Sequence, residues 1–429
     1  MFGFANFLLL ALFAAAVFDL IFALARDGGL RGALHGLWNT PHLLFGQQLA
    51  EWRLQLGRIL FAAGLAAYEI SVVFCNSMAR QNWAWVQGVM SPVLEWLAFL
   101  CFGAKILFGT RYTWRELLAG GALYFIARWV YFNSQNIWWI GIVVAVLAAK
   151  DVPLRRPLQV YFASGCAAMA VVLALHFAGI VVPDLTSERM GALRGTYGYG
   201  HPNTFGGLVF GLVLAYALLR AQKVRWVDCL LVFAVGVFLL VGPASRSAAL
   251  CTLALAVGLM FCRLRAGHSV PRWWPGTCAG MVGLTAAVSY LLPLLVIKVG
   301  PWNNDIGPAW LAKLDSLLTC RISLTWMAYR LLDVKIAGQV FNWPTVDNSF
   351  AFALFQFGPV VAALLGILFA AALLGHAKQG RRVEVCCLFA MLAYAYMEVQ
   401  PFHLTTNPTA LLLCGAVFAQ TSARWQKIE

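Results

Sequence analysis

Apolar stretches of near-membrane length follow one another almost from end to end of this chain. They cover 4–24, 58–78, 86–109, 116–133, 137–149, 159–182, 203–220, 226–243, 246–263, 276–297, 348–375, 383–399 and 408–423. About twenty helical residues rise the roughly 30 Å of a bilayer's hydrocarbon layer. A soluble core has no use for such runs in series, and a composition 62% hydrophobic and only 11% charged agrees. The pattern predicts an all-α, polytopic transmembrane bundle of about thirteen spans, a single membrane domain over 1–429. The 137–149 run is short, and 348–375 is long enough to be tilted or broken at Phe357–Gly358–Pro359.

The net charge of +14 raises the question of nucleic acid, and its distribution answers no. Basic residues gather in every second loop: Arg26, Arg31, Arg53 and Arg58; Arg111 and Arg115; Lys150, Arg155 and Arg156. Further along come Arg220, Lys223 and Arg225; Arg263, Arg265 and Arg272; Lys378, Arg381 and Arg382; and Arg424 with Lys427. Positive residues favour cytoplasmic loops, so the alternation places the N-terminus outside and the C-terminus inside. The segment 25–57, with leucines among polar residues, reads as an amphipathic helix at the inner interface. Most of the eleven cysteines lie inside apolar runs and none forms a CxxC pair, so neither zinc nor a disulfide framework is indicated. The first 24 residues lack a basic start and a small-residue cleavage site and read as a retained span.

On this topology most outside loops are short, and three carry unusual residues: 183–202, the tip "GPASR" (242–246) and 298–347, the longest; a further turn, "EVQPFHLTTN" (398–407), faces the same side. The first ends in "LRGTYGYGHPNTFGG" (193–207), where glycines let backbone approach a ligand closely. Arg194 offers a planar fork for phosphate oxygens, and His201 can exchange a proton near neutral pH. Asn203 suits an N-cap, with Pro202 or Asn203 starting a helix whose free N–H groups favour an anion. Arg246 stands at the outer start of a span, where a charge usually faces a cavity or a partner. Residues 309–335 carry helical apolar spacing, and Arg321 shares the apolar stripe with Leu317 and Leu318. Asp347, Asn348 and Ser349 begin another span, and Glu398, His403 and Asn407 mark the last turn. Tight turn, snorkelling arginine and N-cap cluster are the structural alternatives for these groups.

Together Arg194, Arg246 and Arg321 suggest an anionic substrate, a phosphate or pyrophosphate, handled at the outer leaflet. No DxD-type acidic pair occurs in an outside loop, so a metal-dependent glycosyltransferase site is not indicated and no cofactor is expected. The charges within spans, Asp19, Glu69, Glu95 and Arg128, are scattered, without the matched broken helices of a transporter.

The order "RGTYGYGHPNTFG" (194–206), "ASR" (244–246), "LLTCRISLTW" (317–326), "VDNSFAFALFQFG" (346–358), then Glu398 and "NPTALLL" (407–413), resembles the Wzy-type repeat-unit polymerases of capsular and exopolysaccharide synthesis. These belong to the O-antigen ligase/polymerase group. The similarity extends over 140–429; the first 140 residues match in hydropathy alone. The resemblance implies a GT-C-like glycosyltransferase of the bacterial cell membrane, with amphipathic loop helices outside. Its substrates would be undecaprenyl-diphosphate-linked oligosaccharides, with membrane lipids, a chain-length regulator and a flippase as partners. Transfer would be inverting and metal-independent. Mapped here, Arg194, Arg246 and Arg321 would bind the leaving pyrophosphate, and His201 would be the general base, with Asp347 and Glu398 as rivals. Asn203, Asn348 and Asn407 would hold sugars or cap helices. A loop of about fifty residues at 298–347 is short for a ligase lid and favours polymerase. A ligase-like glycan transferase and a flippase of lipid-linked glycan stay open as alternatives.

Overall fold

The computed structural model describes residues 2–27, 29–46, 50–181, 187–189, 192–296 and 307–418. The expected inside residues Arg424 and Lys427, and 298–306 of the longest loop, lie outside them. The chain is mostly helical, with two short two-stranded antiparallel sheets among the described residues. In apolar surroundings a backbone must satisfy its own hydrogen bonds, and a helix does so within one segment.

Each of the thirteen apolar runs carries helix. Eight described helices are long and apolar enough to cross a membrane: Gly3–Arg26, Glu51–Cys75, Val86–Phe108, Arg155–Phe177, Pro202–Leu219, Arg246–Leu264, Trp274–Leu295 and Pro359–Lys378. Ile137–Ala148, Trp226–Val241 and Pro408–Val417 are apolar but shorter. The other two runs are the helices Trp114–Ser134, which contains Arg115, Glu116 and Arg128, and Arg382–Met397. Phe7, Leu10, Phe13 and Ile21 stand exposed along the first helix, a surface suited to lipid rather than water.

The described chain forms two compact units, 1–128 with 137–208 and 410–429, and 129–136 with 209–409. In the first, the helix Glu51–Cys75 packs against Ser91–Phe108 and Arg155–Phe177. Phe61 meets Phe102 and Tyr68 meets Phe99, with ring centroids 5.7 and 6.5 Å apart. Three of the basic loops meet at one end of this unit. His42–Leu43 pairs antiparallel with Arg111–Tyr112, Arg111 Nε lies 3.7 Å from Asp151, and Lys150 lies 3.2 Å from Glu116. Buried Lys105 donates to Thr110 Oγ1 and the Lys150 carbonyl, both at 2.6 Å. The segment 25–57 supplies the ten-residue helix Leu30–Asn39, burying Ala33 and Leu37 and exposing Leu30, Leu34 and Trp38.

In the second unit, Trp226–Val241 packs on Arg246–Leu264, Trp274–Leu291 on Pro359–Lys378, and Arg382–Met397 on Arg246–Leu264. Arg382 donates to the carbonyls of Arg265 and His268, joining two more basic loops. The long run 348–375 is broken as its sequence suggests. Ser349–Phe352 is α-helical, Ala353–Phe357 is a π turn, and Gly358 (φ +87°) precedes the helix Pro359–Lys378. A Cβ at Gly358 would lie 2.1 Å from the Ile336 carbonyl oxygen, so only glycine lets the 335–339 segment cross there.

The expected continuous helix over 309–335 is instead two, Ala309–Leu317 and Arg321–Leu331. Thr319 and Cys320 both take left-handed backbone, φ +60° and +62°, a conformation costly for residues with a Cβ. Buried Asp315 holds the break in place. Its carboxylate accepts from the N–H groups of Ile322 and Ser323 at 2.8 and 3.1 Å and from Ser323 Oγ at 2.8 Å. An acid from the preceding helix thus caps the next one, where no capping side chain stands in line.

Candidate functional site

The glycine-rich loop belongs to the first unit. Of its glycines Gly198 alone has positive φ (+80°), and Tyr197 shares that conformation at +51°; Gly195 and Gly200 do not need it. The helix begins at Pro202, with His201 and not Asn203 in the capping position. His201 Nδ1 accepts from the Asn203 N–H at 3.1 Å. Proline suits a first helical position because its missing N–H would be unsatisfied there anyway. Asn203 is thereby freed for Arg194, whose Nη2 donates to its Oδ1 at 2.9 Å. With Nδ1 accepting, the neutral His201 ring carries its proton on Nε2. The half-buried Arg194 and the exposed His201 are thus tied through one asparagine.

The other candidates lie in the second unit. At the tip "GPASR", Ala244 (φ +50°) turns the chain and Arg246 opens the helix Arg246–Leu264. Arg246 is exposed and makes no hydrogen bond or ion pair among the described residues. Arg321, at the first position of its own helix, is the opposite case. It is 7% exposed whereas Leu317 is 68% exposed, so it does not share a stripe with Leu317 as its spacing suggests. Nη2 reaches Glu398 Oε1 at 2.6 Å and Ser247 Oγ at 3.3 Å, and Nη1 reaches the Leu318 carbonyl at 2.8 Å and Thr319 Oγ1 at 3.1 Å. Its Nε donates to the Met397 carbonyl. A cation at a helix N-terminus opposes the helix dipole; Glu398 supplies the compensating charge.

Glu398 ends the helix Arg382–Met397 in extended backbone. Burial lifts its carboxyl above the ordinary glutamate range, to about 7; Arg321 pulls it down and Asp347 pushes it further up. Asp347 therefore acts on the same carboxylate from the next strand of loop. Asn348 caps the short helix Ser349–Phe352, accepting from Phe350 and Ala351 N–H groups at 2.9 and 3.1 Å. Its amide nitrogen donates to Ser289 Oγ and the Tyr396 carbonyl, and Ser349 Oγ donates to the Glu398 carbonyl at 2.5 Å. Asn407 is buried in the last turn, donating to the Pro401 carbonyl at 2.9 Å and accepting from Thr409 Oγ1 at 2.5 Å. Burial lowers the His403 imidazole to about 3, so it stays neutral at physiological pH.

The second unit thus brings Arg246, Arg321, Asp347, Asn348 and Glu398 into one connected region, and Ser247 is its missing member. Ser247 follows Arg246 directly and hydrogen-bonds both Arg321 and Glu398. A serine beside a charged residue at a span's start was its only signal. Chemically, the region offers a buried carboxyl raised to about 7 and, one residue along the chain from the serine that bonds it, an exposed cation, groups suited to moving a proton and to meeting an anion. Comparison with protein-family models, with curated proteins and with solved structures finds no match for this chain.

Proposed function

We propose that the chain is a membrane glycosyltransferase that joins undecaprenyl-diphosphate-linked oligosaccharide repeat units into polysaccharide at the outer leaflet. In this reading about thirteen spans form a GT-C-like bundle with the N-terminus outside, and the basic loops gathered at one end of each unit face the cytoplasm. The observation that carries the reading is the buried Arg321–Glu398 pair, bonded by Ser247, whose neighbour in the chain is the exposed Arg246. The ordered sequence motifs that resemble repeat-unit polymerases support it.

The chemistry follows from those groups. Glu398, as carboxylate, accepts the proton of an acceptor-sugar hydroxyl. The freed oxygen attacks the anomeric carbon of the donor on the face opposite its diphosphate, the carbon–oxygen bond to the diphosphate breaks, and the anomeric configuration inverts. Arg246 takes the charge that collects on the departing diphosphate, where a guanidinium fork matches two phosphate oxygens. Arg321 orients Glu398 and offsets its charge. Arg194 serves as a diphosphate-binding candidate within its own unit, held by Asn203, and Asn348 and Asn407 hold backbone in place. His201 acts as a helix cap, and Glu398 takes the base role first expected of it.

The test is chain extension by purified protein in liposomes given lipid-linked repeat units. A ladder of lengthening products supports the reading, with Glu398→Gln leaving single repeats. Lipid-linked repeats that cross the bilayer without being joined would overturn it in favour of a flippase.

A further inference from the structure

The first unit holds a cavity that the motifs of the glycine-rich loop do not reveal. It is about 460 Å³ and lined by Asn76, Ser77, Arg80, Gln81, Gln87 and Gly200, with Cys75 and Met78, a volume in the range of small-ligand sites. Its wall is built from the turn between Glu51–Cys75 and Ser91–Phe108. That turn is bound to the glycine-rich loop: Met78 N donates to the Gly198 carbonyl at 2.9 Å, and Ser77 bridges Tyr199. Gly200 is thus both a lining residue and the immediate neighbour of His201. Gln87 sits in a π turn, Val86–Met90, a local distortion that often marks functional positions.

The lining is polar in a particular way. Asn76 donates to the Val72 carbonyl at 2.8 Å and Ser77 Oγ to the Phe74 carbonyl at 2.8 Å, which fixes both and leaves the Asn76 amide oxygen as an acceptor. The Gln81 and Gln87 side-chain amides make no hydrogen bond among the described residues, and both residues are exposed. Among the described lining residues one is charged, Arg80, and none is acidic. A diphosphate would call for more cations, and a lipid tail for an apolar wall. Amides that both donate and accept match a ligand rich in hydroxyls.

We infer that this cavity is a glycan subsite, taking hydroxyl-bearing sugar rings of the lipid-linked substrate beside the Arg194 loop. The inference rests on the proposed transferase reading. Gln81 and Gln87 contact sugar hydroxyls, and Arg80 accommodates a sugar carboxylate or an electron-rich ring oxygen.

The experiment measures binding of two probes to the full-length protein in nanodiscs: undecaprenyl diphosphate without sugar, and the undecaprenyl-diphosphate-linked repeat unit extracted from the producing cells. The sugar-bearing lipid is expected to bind about tenfold more tightly or better, an increment typical of a few net hydrogen bonds. Gln81→Ala/Gln87→Ala should remove that increment and leave the affinity for bare lipid unchanged. Gly200→Leu is a second probe, because Gly200 lines the cavity and a Cβ there meets only Met78 Sδ, at 3.7 Å. Equal affinity for both lipids in the wild type, or an increment kept in both variants, overturns the subsite while the diphosphate reading stands. Failure of both lipids to bind overturns that reading and the subsite with it.

Discussion

Glu398 closes on Arg321 at 2.6 Å, linking the end of one helix to the beginning of another, with both side chains buried. The pair is held by Ser247, by the Met397 carbonyl and by the turn at Leu318–Thr319. Its carboxylate is therefore held before any substrate arrives, and the exposed Arg246 precedes its serine partner in the chain. Roles that look interchangeable among arginines of one sequence are divided by burial.

Removing Arg321 alone strands a buried carboxylate, at a cost of about 3–5 kcal/mol. Arg321→Ala is expected to lower the thermal midpoint of purified protein markedly. Arg321→Met combined with Glu398→Leu should recover most of that stability, because a buried ion pair is often no better than an apolar pair of similar size. Activity should not return with it. A double variant no more stable than Arg321→Ala would show that the pair does not act through its mutual charge.

Arg246→Ala should leave stability within about 0.5 kcal/mol of wild type, as for an exposed residue without partners. The loss should fall on the lipid diphosphate, lowering kcat/KM for it roughly ten- to a hundredfold for a lost charged hydrogen bond of about 1.5–3 kcal/mol. Lysine restores charge without the fork and should recover part of this. Steady-state kinetics against diphosphate-linked donor decides it; an unchanged kcat/KM removes Arg246 from the leaving-group site.

The helical content and the break at Gly358 were legible because apolar run length and a Gly-Pro pair act locally. The two-helix form of 309–331 was not. Its apolar spacing is continuous across Leu317–Leu324, and what interrupts it is Asp315, whose carboxylate reaches the N–H groups of residues seven and eight positions on. Spacing rules register neighbours three and four apart, so this cap leaves no pattern. Arg321 was misread for the same reason: helical phase predicts a stripe, while its partners, Ser247 and Glu398, lie more than seventy positions away. At "GHPN" Asn203 reads as the cap, but the fixed φ of Pro202 suits the first helical position and leaves His201 in the capping place. The turn at Asn76–Gln87 carried no motif at all.

His201→Asn separates the two roles open to that histidine. Asparagine is among the best N-cap residues, so the variant should keep the helix start and turn over close to wild type. A general base lost outright would cost roughly a hundred- to ten-thousandfold. A drop of that size, in protein whose helix content by circular dichroism is unchanged, would return the base role to His201.

Glu398 also fixes an expected pH dependence. Burial, with help from Asp347, raises its carboxyl from the ordinary 4.5 to about 7 against the pull of Arg321. The base form is the carboxylate, so kcat/KM should climb with pH up to about 7 and level off above it. Stability should move the other way. Between 4.5 and about 7 the folded protein holds a proton that the unfolded chain has released, so folding is favoured most at the low end and loses that contribution as pH rises through about 7. Arg321→Gln removes the group that pulls the carboxyl down, and the rise in kcat/KM should move to higher pH. Measured across pH 5 to 9 on the liposome assay, a rise that stays in place in Arg321→Gln would detach the titration from Glu398.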